Sequence, residues 1–149
     1  MAVDIVRTAT CRAPVQVAFD YVADYRNIPS WMLGIERFAP VGDLDRGEGA
    51  EFDVTARFGV PLHTRIRATE WVDRRFIGME SVRGVAVCSR FAFDRAGSGT
   101  SITAEVSYRL PGGAAGRIMH RAVGPFIARA VQHANHALVA GIERQAAAA

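Results

Sequence analysis

Lysine is missing from this chain. All eighteen basic residues are arginine, and against fifteen acidic residues they leave a formal net charge of +3. The arginines, Arg7, Arg37, Arg57, Arg83 and Arg109 among them, are scattered, with no basic block and no aromatics interleaved with basic runs, so nucleic acid is not an expected partner. Arginine favours bidentate contact with carboxylate and phosphate, which leaves docking to an acidic carrier protein open. Cysteine is scarce: Cys11 and Cys88 are far apart and lack metal-type spacing, so neither a disulfide framework nor a zinc site is expected. The histidines at 63, 120, 133 and 136 form no ligand motif with carboxylates, and no nucleophile–base–acid triad stands out. No metal and no cofactor are therefore expected. Long apolar runs are also missing. The apolar C-terminal region is broken by Arg129, Gln132, His133, Asn135 and His136, well short of the roughly 18 uncharged apolar residues of a membrane span. The opening MAVDIVRTATCRAP has no continuous apolar core, so neither a signal peptide nor an anchor is expected and the cytoplasm is the default compartment.

What is present is the material of one ordinary domain, residues 1–149, with half its residues hydrophobic. Residues 3–10 alternate as a short strand, and Ala13-Pro14 opens a helix on which Val15, Phe19 and Val22 form one buried stripe. Across FDYVADYRNIPSW (19–31), Asp24 is expected to cap, Pro29 to end a second short helical turn, and Trp31 to anchor packing. After Gly34 the period changes from 3.6 to 2. Strands are expected over 35–41, 50–58, 62–69, 76–82, 85–94 and 100–110, separated by turn-rich segments such as GDLDRGEG and AGSG. Phe52, Val54, Ala56 and Phe58 share a face opposite Glu51, Asp53, Thr55 and Arg57. Pro111-Gly112-Gly113 ends the last strand, and a long helix runs to about Arg144. Its apolar arc is expected to comprise Met119, Ala122, Val123, Phe126, Ala130, Ala134 and Ala137, with Asn135 on the opposite side and a kink at Gly124-Pro125. Sequential strands with one wet and one dry face imply an α+β fold: a curved antiparallel sheet lying across a long C-terminal helix.

This order resembles the START-like or SRPBCC superfamily, and within it the subfamily of polyketide cyclases and dehydrases. The carrying residues are AP (13–14), FDYVADYRNIPSW (19–31), GI (34–35), RGEGAEF (46–52), ATEWVDRRF (68–76), FAFDRAGSGTSIT (91–103) and PGGAAGR (111–117). The resemblance implies a helix-grip fold, with seven strands around the C-terminal helix and two short helices after the first strand. It also implies a cavity between sheet and helix for a small hydrophobic molecule.

On that basis the ligand-binding candidates from the sheet are Phe52, Val54, Phe58, Thr64, Met79, Ser89, Phe91 and Tyr108. Met119 and Phe126 are expected to join them from the helix. In the clearly patterned strands the dry faces carry Thr64, Ser89 and Tyr108 as their polar members and no Asp, Glu, His or Arg. Acid–base chemistry needs a titratable group within reach of the reacting atom. Tyr108, His133 at the edge of the helical arc, and Glu80, should its strand adopt the opposite register, are the catalytic candidates. Two functions fit: binding of a lipid, quinone or polyketide-like aromatic, or cyclisation of a polyketide steered by cavity shape.

Overall fold

The computed structural model describes residues 2–148. Strand β1 (Ala2–Cys11) leads into helix α1 (Val15–Ala23), a 3-10 turn (Tyr25–Asn27) and the short helix α2 (Ile28–Trp31). Strands β2 (Ile35–Val41), β3 (Glu51–Phe58), β4 (Val60–Val72), β5 (Phe76–Gly84), β6 (Ala86–Ala96) and β7 (Gly99–Arg109) follow, and helix α3 (Gly113–Ala148) closes the chain. All pairings are antiparallel in one seven-stranded sheet of order β1-β7-β6-β5-β4-β3-β2. Strands β2 to β7 thus meander in sequence order, and β1 returns to pair with the last of them. This is the helix-grip arrangement.

The alternation decides which face is dry. Along β3, Phe52, Val54 and Ala56 are buried while Thr55 and Arg57 point outward. The outward face is laced by cross-strand ion pairs: Arg65 with Asp53 (2.9 Å), Arg67 with Glu51 (3.0 Å), Arg90 with Glu70 (3.0 Å) and Arg57 with Glu36 (2.8 Å). Charge is neutralised locally there.

Segment 19–31 is structural at both ends. Asp24 accepts a hydrogen bond from the Arg26 backbone N–H (3.0 Å) and pairs with its guanidinium (2.8 Å), and this bonding holds the Asp24 carboxyl below the usual range. Pro29 departs from expectation, because it opens α2 rather than ending a helical turn. At the first turn its missing N–H costs nothing and its fixed φ suits a helix. Phe19 is fully buried and meets Trp71 (6.0 Å) and Phe93 (5.2 Å) edge-on, clamping α1 to the sheet. Thr100, also fully buried, donates to the Ala13 carbonyl (2.7 Å) and ties β7 to the β1–α1 junction.

Helix α3 runs unbroken through Pro125 and continues past Arg144 to Ala148. Its C-terminal half is anchored: Leu138 and Ile142 are core residues, and Gly141 sits where a Cβ would collide with the Tyr21 ring. Its N-terminal half crosses the β3–β4 hairpin, whose turn residue Gly59 has φ +81°. A Cβ there would come within 2.8 Å of the Phe126 ring and 3.0 Å of the Ala122 carbonyl. Gly59→Ala therefore meets both a left-handed backbone and a close approach, and should cost about 1–2 kcal/mol in urea denaturation. An unchanged midpoint would show that the turn does not bear on the helix.

Candidate functional site

The sheet curls around α3 without filling the space beneath it. A cavity of about 270 Å³ remains. On the sheet side its wall consists of inward positions: Val54, Ala56 and Phe58 from β3; Leu62, Thr64 and Ile66 from β4; Ile77 and Met79 from β5. Val87, Ser89 and Phe91 from β6 and Ala104, Val106 and Tyr108 from β7 complete that side. Helix α3 contributes Val123, Ile127, Ala130, Val131, Ala134 and Leu138, which are mostly small. That is why a void persists: alanine and valine cannot reach across to a curved sheet whose own side chains diverge from its concave face.

Seven of the expected lining residues do face this space, namely Val54, Phe58, Thr64, Met79, Ser89, Phe91 and Tyr108. Phe52 does not. It is buried in a packed cluster with Phe38 (4.9 Å) and Tyr25 (5.9 Å). Phe126 is 45 % exposed and lies over the Gly59 turn. Met119 stays outside the wall because the inward stripe of α3 is rotated toward Ile127, Val131 and Asn135. The rotation also brings Asn135 inside, contrary to expectation. His133 is exposed on α3. Glu80 is exposed too, since its strand places Ile77 and Met79 inward and the alternation turns Glu80 out, level with Arg67 and Cys88.

Other residues enter without having been anticipated. Ile28 and Trp31 from α2, Met32 just after it, and Ile35 and Phe38 from β2 line the cavity as well, so Trp31 both anchors packing and lines the site. Its ring stands edge-on to Phe91 (5.9 Å), and its buried Nε1 has no hydrogen-bond partner among the described residues. Arg7 also lines the cavity, from β1, a strand for which no dry face was assigned from the sequence. The alternation of Val3, Ile5, Arg7 and Ala9 along β1 carried that signal.

The polar chemistry of the wall is sparse. The Thr64 hydroxyl is taken up by the carbonyls of Arg83 (3.1 Å) and Val85 (3.0 Å). The side chains of Ser89, Tyr108 and Asn135 have no hydrogen-bond partner among the described residues. Burial raises the Tyr108 phenol above its ordinary value of 10.0, so it is neutral at physiological pH and free to donate. Among the described lining residues there is no Asp, Glu or His. No cluster of potential metal ligands occurs among the described residues either. Both thiols are free, and burial pushes each above its ordinary value, so neither is an activated nucleophile.

The chain belongs to the family described as polyketide cyclase / dehydrase and lipid transport, whose model matches residues 2–143. No curated protein matches the sequence. Solved structures match the fold over almost its whole length. The Zhui aromatase/cyclase from Streptomyces sp. R1128 superposes with a TM-score of 0.79 at 14 % identity, covering 97 % of this chain and 96 % of that one. A START superfamily protein from Mycobacterium smegmatis gives 0.75 at 14 % identity, covering 95 % and 97 %. At such identities the likeness is one of fold. No described helix is long and apolar enough to cross a membrane.

Because a raised phenol pKa favours the neutral folded form, the stability this confers is complete below pH 10.0 and is lost as pH rises through the higher folded value. Tyr108→Phe should flatten that alkaline decline while changing stability at pH 7 by less than about 1 kcal/mol, since the lost hydroxyl has no protein partner. Urea titrations at pH 7 and pH 10.5 check this; an unaltered alkaline limb would contradict it.

Proposed function

We propose that the protein, acting as one domain over residues 1–149, binds a small hydrophobic molecule, a lipid, quinone or polyketide-like aromatic, between the sheet and α3 without transforming it. The observation that supports this reading is a wall of mostly aliphatic and aromatic side chains with no carboxylate or imidazole among the described residues. Such a wall excludes water and offers shape, but no strong acid or base to move a proton. Left dry and empty, a void of about 270 Å³ would cost on the order of 6 kcal/mol, comparable to the whole stability of many domains. An apolar guest removes that cost.

Binding should be visible as mass action. Protein purified gently and sprayed under native conditions should carry a co-purified small molecule. A flat aromatic or fatty ligand at a hundred times its dissociation constant should add about 2.7 kcal/mol and raise Tm by about 5–10 °C. Ala134→Leu places three more carbons in the void from the helix side. It should raise the Tm of the empty protein and abolish the ligand-induced shift. A variant that keeps the full shift would place the ligand elsewhere.

One observation favours a second reading, cyclisation of a reactive polyketone. The unpartnered Tyr108 hydroxyl inside the cavity could polarise a substrate carbonyl, in a chain whose family includes cyclases. Turnover of a model polyketone by the wild-type protein, lost in Tyr108→Phe, would establish it over simple binding.

A further inference from the structure

Arg7 is the one charged side chain among the described residues lining the cavity. Four arginines of β3, β4 and β6 are matched by carboxylates across the outer face, whereas Arg7 has no ion pair among the described residues; one guanidinium nitrogen reaches the Val6 carbonyl (2.8 Å). A guanidinium offers five N–H groups in a planar fork, so most of its donors remain available. Arg7 both lines the cavity and is exposed, which marks this stretch of wall as the place where the cavity meets solvent.

The ladder pairings locate it further. Arg7 stands opposite Ala104, Ala104 opposite Phe91, and Phe91 opposite Ile77, so Arg7 lies in one cross-strand row with the residue on which Trp31 packs. The Arg12 backbone N–H donates to Glu143 (2.9 Å), fixing the end of β1 against α3. From that tie, Arg7 lies about 17 Å back along the strand and Asn135 about 12 Å back along the helix. Both line the cavity. The polar side chains among the described lining residues are Arg7, Trp31, Thr64, Ser89, Tyr108 and Asn135, and no carboxylate accompanies them.

We infer that the ligand is an amphiphilic carboxylic acid, its carboxylate held at the cavity mouth by Arg7 and its apolar body beneath α3. The inference rests on the binding reading above and adds the class of head group. A carboxylate matches the guanidinium fork bidentately, and a head group at the mouth stays partly hydrated, which avoids the desolvation cost of a fully buried pair.

Two matched pairs test it by calorimetry on the full chain: dodecanoate against dodecanol, and 2-naphthoate against 2-methylnaphthalene. The acid of at least one pair should bind wild type at least about tenfold more tightly than its neutral partner. Arg7→Met, a substitution at an exposed edge-strand position, should bring that ratio close to one with little change for the neutral compound, and Arg7→Lys should restore part of it. Equal binding of acid and neutral partner by wild type, or an undiminished ratio in Arg7→Met, would overturn the acid assignment and leave the cavity reading standing. Binding of none of the four compounds would overturn both.

Discussion

Every strand presents an apolar row to the same side of the sheet, and α3 must cover that side with a face built largely of alanine and valine. The rest follows from this mismatch in size. A leucine- and phenylalanine-rich helix would sink into the concave sheet and give a solid core. Ala130, Ala134, Val123 and Val131 instead line a hollow between helix and sheet. The packing of the fold is concentrated elsewhere. Phe19, Trp71 and Phe93 interlock at the α1 end, and Phe52 with Phe38 closes the β2–β3 side.

The anchoring of α3 is uneven, and that bears on how a guest enters. Leu138, Gly141 and Ile142 are packed against the core, and the Arg12–Glu143 contact holds the same end. Toward the N-terminus the buried positions thin to Gly116 and Val123. Few buried contacts mean a low cost of local opening, so motion that admits a ligand is expected in the half of α3 that crosses the Gly59 turn.

Most of the sheet was legible because a period of two is unambiguous once one face is buried: the dry rows of β3, β4, β6 and β7 follow directly from alternation. The helix face was not, for a physical reason. In α3 the large apolar residues Met119 and Phe126 pull any hydrophobicity-weighted arc toward themselves, whereas Phe126 is engaged by the β3–β4 turn, a contact between distant segments that no local pattern encodes. Asn135 was missed because polarity was read as outwardness, and Arg7 because no face was assigned to β1. A cavity wall, unlike a core, accommodates a polar group at its edge. Trp31 was read correctly as an anchor, but its place in the cavity wall depends on how α2 folds back over β6.

The central claim is that the hollow beneath α3, rather than any outer surface, receives the guest. Methyl-labelled NMR of the protein with naphthalene tests it most directly. Intermolecular NOEs should run from the ring protons to the methyls of Val54, Met79, Val106 and Ile127. NOEs confined to outward methyls such as those of Val82 and Thr55 would contradict the account.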